Sequence, residues 1–276
     1  MSKIPSSLAV SRRSSVRSPR TVAAQEQSPH SQAQTRVHVF DVVRGFSVIS
    51  MVLFHLCYDL KFISGVPLAW FAPPLQDIWR ASISWAFVSV AGCMFAYSRD
   101  NLRRSLKYLA VAALVFVVTT FAAVDTPINF GIIYCMGACT LTCVLLDRLE
   151  FRPCGPAAAA VLFVLFLVLL PLAQGRIGIG GLTFALPREL YATPYLSWLG
   201  LPGPTFASGD YYPLLPYLLL YLAGSALGRY FKQGNLPAQV ANISCPPLET
   251  VGKLALPIYV LHQPLLLLVT SFLIPA

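Results

Sequence analysis

Residues 44–59 read RGFSVISMVLFHLCYD, and the fold turns on how this stretch is read. It is apolar enough to cross a bilayer, yet it carries Arg44, His55 and Asp59, with Asp41 one turn ahead. Helical residues advance by about 100° each, so Asp41, Arg44, His55 and Asp59 fall within a sector of about 60°. One polar stripe on a greasy helix faces a protein interior or a wet groove. A charge facing lipid at mid-membrane costs about 2.5–3.5 kcal/mol even on insertion scales. His55 lies about 16 Å along the axis from Arg44, so the two ends of the stripe address opposite halves of the span. Asp59, one turn beyond His55, is placed to hydrogen-bond the imidazole and fix its tautomer.

The rest of the chain is built in the same manner. Of 276 residues, 56% are hydrophobic and 11% charged, with a mean hydropathy of +0.66; a soluble domain carries about 25% charged residues. Seven runs approach the ~20 apolar residues that a spanning helix needs. They are Phe40–Leu60, Ile83–Tyr97, Leu106–Val124, Phe130–Leu146, Pro156–Leu172, Tyr212–Tyr230 and Leu254–Leu273. The expected fold is all-α, a polytopic membrane bundle of about seven transmembrane helices. Pro213, Pro216, Pro257 and Pro264 interrupt the last two, where packed neighbours must re-satisfy the backbone.

With the N-terminus in the cytoplasm, fifteen Lys and Arg fall on inside segments and four, Lys61, Arg80, Arg176 and Arg188, on outside ones. That is the bias of the positive-inside rule. The net charge of +9 follows from topology plus a basic tail, so no nucleic-acid partner is expected. Residues 1–36, rich in Ser, Arg and Gln without apolar periodicity, read as a disordered cytoplasmic tail. Their composition also fits a transit peptide, whereas a cleaved signal peptide does not fit. Residues 37–276 form the membrane domain. Cys135, Cys139 and Cys143 recur every four residues, but no His or carboxylate shares their face. Helix packing explains them better than a metal, and no metal site is expected.

Further polar groups sit at depth. In LALPIYVLHQPLLLL, His262 and Gln263 precede Pro264, either as a functional spot or as a capped proline kink. Asn129 starts the fourth run, as a cap or as an acceptor contact. Asp210 is placed to cap the sixth helix, with Tyr211 and Tyr212 at the interface. Arg103 and Arg104 lie in a basic inner loop. Asp41 and Arg44 either bind an anion together or pair with each other at the interface.

Four segments, RVHVFDVVRGFSVISMVLFHLCYDL, INFGIIYCMG, DYYPLLPYLLLYLAGSALGR and LALPIYVLHQPLLLL, together resemble the bacterial members of the heparan-alpha-glucosaminide N-acetyltransferase catalytic-domain family. The interval from Arg44 to His55 is also similar to the R-x10-H pattern of the wider integral-membrane sugar acyltransferases. FDVVRG stands where those relatives have a leucine-rich LDxLRG, and seven spans are fewer than larger relatives have, so a second copy of the chain is a possible partner in a homodimer. The resemblance implies an acyltransferase of a bacterial inner membrane. It would move acetyl from cytoplasmic acetyl-CoA, as co-substrate, to an amine or hydroxyl of a sugar or glycan on the far side. It places Arg44 and His55 in the family's arginine and histidine positions, and His262 and Gln263 in its late histidine motif. With the stripe geometry, His55, Asp59 and His262 become the expected catalytic groups. Arg44, Asp41, Arg103 and Arg104 become the expected donor-binding groups, and Asn129, Gln263, Asp210 and Tyr211 the acceptor or oxyanion contacts. Besides membrane lipid, the glycan is the expected partner. A proton-coupled transporter is the alternative, since intramembrane Asp, Arg and His with broken helices occur there too.

Overall fold

A computed structural model describes residues 37–122 and 126–273; the N-terminal segment 1–36, expected to be a tail, lies outside the described residues, as does Val124. Helices occupy all seven expected runs. α1 is His38–Tyr58, prolonged by a π turn over Asp59–Ile63. α2 is Leu75–Cys93, α3 Asn101–Phe121, α4 Ile132–Arg148 and α5 Pro156–Leu169. After a hairpin, β1 (Arg176–Ile179) with β2 (Leu182–Ala185), come α6 (Leu214–Tyr230), the short α7 (Ala238–Ala241), α8 (Pro246–Lys253) and α9 (Ala255–Leu273). The strands pair antiparallel, with Ile177 opposite Phe184.

Five of these helical segments are long and apolar enough to cross a membrane: 38–63, 75–97, 101–121, 156–174 and 255–272. The other two expected spans, α4 and α6, are 17 residues each. Their role in the bundle is central. α6 packs on α2, α4 and α5, and buries Leu220, Tyr221, Leu222, Ala223 and Ala226. The cysteine row of α4 lies in this core, with the Cys135 and Cys139 sulfurs 3.8 Å apart. Peripheral helices are bare by contrast. On α3 only Ser105 is buried, and Leu114, Phe116, Val117, Val118 and Phe121 are exposed. In water such a belt would be an aggregation surface; it fits a helix whose outer face is solvated by lipid.

Close helix approach depends on missing side chains. A Cβ on Gly224 or Gly228 of α6 would collide with the carbonyl oxygens of Ser89 or Cys93 on α2. A Cβ on Gly45 of α1 would collide with the Leu248 carbonyl of α8, and one on Gly252 with the Asp41 carbonyl of α1. Without hydrophobic drive between helices in lipid, such backbone contact supplies the packing. The α1–α8 contact is extended at its end by Glu249, which accepts from His38 Nδ1 at 2.8 Å and from Ser244 Oγ at 2.7 Å. The His38 imidazole and Ser244 hydroxyl hold the Glu249 carboxyl below the usual carboxylate range.

Contacts bring the basic loops to one end of the bundle. Phe40 meets Tyr97, Arg229 pairs with Asp147 at 3.0 Å, His38 meets Glu249, and the Gly155 N–H bonds the Ala226 carbonyl. We call this the basic end.

Several boundaries differ from the sequence reading. α2 starts at Leu75 rather than Ile83, because its first turns carry Asp77 and Arg80 and escape an apolar count. α3 starts at Asn101, five residues before the apolar run, because the Asp100 carboxylate caps the Arg103 N–H at 2.8 Å. Leu215, before Pro216, is extended (φ −97°, ψ 135°), as a pre-proline residue prefers.

Candidate active site

The stripe on α1 faces α8 and α9. At its lower end Asp41 is buried and Arg44 half-buried. Arg44 Nη1 lies 3.4 Å from Asp41 Oδ1 and donates to the Gly252 carbonyl at 3.3 Å. The two residues therefore pair with each other beside the α1–α8 crossing, the plainer of the two expected readings.

At the upper end, His55 and His262 come together. Their ring centroids are 4.8 Å apart with planes at 64°. His262 Nδ1 is 2.7 Å from the Tyr259 carbonyl oxygen. A carbonyl only accepts, so Nδ1 carries the proton and Nε2 presents a lone pair. That Nε2 is buried and has no hydrogen-bond partner. The half-buried His55 is the more open ring of the two. Phe54 packs edge-on against it at 5.9 Å and joins Phe71 and Trp79 in an aromatic wall; Trp79 Nε1 is anchored on Ser50 Oγ at 2.7 Å.

The expected Asp59–His55 hydrogen bond does not form. The fully buried Asp59 instead accepts from Gln263 Nε2, at 3.0 Å to one carboxylate oxygen and 3.1 Å to the other. α1 widens into its π turn from Asp59 onward, and the carboxylate turns across to α9, where the amide supplies the donor that a buried carboxylate needs. Consecutive residues of α9 thus engage residues one turn apart on α1: His262 meets His55, and Gln263 meets Asp59. Gln263 Oε1 is left buried without a partner.

The other expected residues scatter. Arg103 is exposed at the start of α3. Arg104 is turned inward and donates to the Tyr221 hydroxyl at 2.8 Å and the Ala91 carbonyl at 3.3 Å. Its guanidinium braces three helices rather than standing beside Arg103. Asp210 caps α4, not α6: its Oδ2 accepts the Ile132 N–H at 3.1 Å. A Cβ on Gly131 would lie 2.9 Å from that oxygen, so the glycine admits the cap. Asn129 does not begin α4, since Phe130 intervenes with φ +54° and turns the chain into the helix at Ile132. Its N–H donates to Ser208 Oγ at 2.9 Å. Tyr211 donates its hydroxyl to the Ser197 carbonyl at 2.6 Å and ties down the long loop. Asp210 and Tyr211 each bond a backbone group, the Ile132 N–H and the Ser197 carbonyl.

Asn129 does line a cavity of about 350 Å³, between α3 (Leu109 to Phe116), the 128–131 turn, Ile133 and Tyr134 of α4, and Tyr259. Its polar side chains among the described residues are Asn129, Tyr134 and Tyr259. The rest of its lining is apolar, with Leu109, Ala112, Val115, Phe116 and Ile133 among it. Tyr259, absent from the expected site, links this cavity to the histidines; the signal was its place one turn before His262 on a helix.

Among the described residues no group of three His, Cys, Asp or Glu is assembled as for a metal.

Across residues 36–264 the chain matches a family model described as heparan-alpha-glucosaminide N-acetyltransferase, catalytic. No curated protein and no solved structure matches it. The chain belongs to that family, and with its apolar helices it is an integral-membrane acetyltransferase.

Proposed function

We propose that this family member takes acetyl from acetyl-CoA at the basic end, in the cytoplasm of a bacterium, and delivers it to a sugar amine or hydroxyl on the outer side of the inner membrane. The observation that carries this reading is the His55–His262 pair, with Nδ1 of His262 pinned to the Tyr259 carbonyl and its Nε2 unpartnered.

His55 is the general base and His262 the residue that orients it. His262 Nε2 can accept only from a donor, and the nearest ring with an N–H to give is His55. A small closure as substrates bind sets that bond, as active-site hydrogen bonds often tighten only in the complex. The second His55 nitrogen then carries a lone pair toward the acceptor. Here the backbone-anchored His262 does what Asp59 was expected to do. Asp59 and Gln263 hold α9 against α1 so that the two rings keep their distance.

The reaction balances simply. The acceptor nitrogen or oxygen attacks the thioester carbonyl, a new N–C or O–C bond forms, and the C–S bond breaks. The acceptor proton passes to His55 and from there to the departing thiolate. The anionic donor is met at the basic end by the exposed Arg103. The aromatic wall beside His55 keeps the site dry, which strengthens every polar interaction within it.

Inside-out vesicles loaded with glucosamine and given radiolabelled acetyl-CoA outside test the reading. Acetylated sugar is expected in the lumen. Product only when both substrates share one side, or none at all, contradicts it.

A further inference from the structure

We propose that the cavity between α3 and α4 holds the hydrocarbon chain of a membrane-anchored sugar acceptor. This rests on the function proposed above and names the class of its acceptor. α3 and α4 touch closely near the basic end, where Ser105 Oγ donates to the Gly137 carbonyl at 2.9 Å and Leu109 lies against Gly137. One to two turns on, the small Ala112 and Ala113 leave the space that becomes the cavity. Its α3 wall belongs to a helix fit to cross the membrane, and two wall residues there, Ala113 and Phe116, are exposed. The cavity therefore opens where lipid lies. Its inner wall is Tyr259, whose ring centroid is 5.7 Å from that of His262 and whose carbonyl sets the His262 tautomer.

A free sugar has no use for an apolar chamber of this kind, and the two-carbon acetyl of the donor is far too small to fill it. The volume is at the lower end of the ~300–1,000 Å³ usual for ligand sites. A chain seated there tethers its sugar head beside the histidine pair. It also raises the local concentration of acceptor, because the chain is already in the membrane.

The test uses full-length protein in nanodiscs and two readouts. In the first, a prenyl phosphate bearing a diazirine is photolysed and the labelled peptides are mapped. Label is expected on 109–116 and 128–134, at least fivefold weaker in Ala112→Trp and in the milder Ala113→Leu. In the second, prenyl-phosphate-linked glucosamine and free glucosamine compete as acceptors. The linked sugar is expected to have a kcat/KM at least tenfold higher, with that ratio collapsing toward one in both variants. Label spread over exposed helices and indifferent to the substitutions overturns the proposal. So does labelling of the cavity by a long-chain acyl-CoA diazirine but not by the prenyl probe, or equal kcat/KM for the two acceptors. If no sugar is acetylated at all, the proposed function fails, while the photolabel still decides what the cavity holds.

Discussion

His262 is held by the Tyr259 carbonyl, and a role for it beside His55 has measurable consequences. General-base catalysis contributes about 10²–10⁴ in rate. His55→Ala is expected to lower kcat by that amount. His262→Ala is expected to lower kcat by about 10–10², to leave the acceptor KM within about twofold, and to shift the pH–rate profile, since it acts through His55. Asp59→Asn keeps an oxygen for the Gln263 amide and is expected to cost less than tenfold. A collapse in Asp59→Asn with an intact His262→Ala would restore the i,i+4 pairing that spacing implies. That pairing was readable, but Gln263, 204 residues away, competes better for the carboxylate, and no local pattern encodes it. Asp210 carries a pH signature. Burial pushes its carboxyl up to about 6, against the Ile132 N–H and the Arg80 charge, both of which favour ionisation. A folded pKa above the unfolded value of about 3.9 means that the native state binds the proton more tightly, so its stabilisation is full below about pH 4 and is lost as pH rises through 6. Wild type is expected to lose about 2–3 kcal/mol across that window. Asp210→Asn is expected to lose none of it, and parallel melting curves for the two proteins in detergent at pH 4–7 would refute the assignment.

Among elements, the α1–α8 crossing is the one most sensitive to a single atom, because two backbones meet where Gly45 and Gly252 lack side chains. Gly45→Val forces α8 away, and with it Gly252, the carbonyl partner of Arg44, and the start of α9. Overpacking costs about 1–3 kcal/mol in compact cores, so a clear fall in melting temperature is expected. Acetyl transfer is expected to fall further than stability alone explains, because α9 carries His262. An unchanged melting temperature would mean that the crossing is loose. Apolar runs located every long helix, since length and hydropathy decide what a bilayer accepts. They missed the ends, where Asp77 and Arg80 belong to a helix and Asp100 caps one, yet all three dilute the signal. They also missed the cap on α4, supplied by Asp210 from 78 residues beyond, and the hairpin, whose Gly180-Gly181 turn lies between the apolar runs.

For the whole molecule, the charge bias along the chain becomes a geometric fact once Arg103, Arg148, Arg152, Arg229 and Lys232 gather at one end. The bias was legible because each loop contributes to it. The cavity was not, since its wall draws on three helices and a turn that only packing brings together. Cys154 is exposed at the basic end. A membrane-impermeant maleimide is expected to label it in inside-out vesicles and not in intact cells; the reverse would invert the orientation. The central claim, that acetyl transfer runs through the histidine pair, is tested most directly by the rate of labelled acetyl transfer from acetyl-CoA to glucosamine. Wild type and His55→Ala should be compared as purified proteins of matched melting temperature. A rate at least 10²-fold lower in the variant is the expected result, and equal rates would contradict the account.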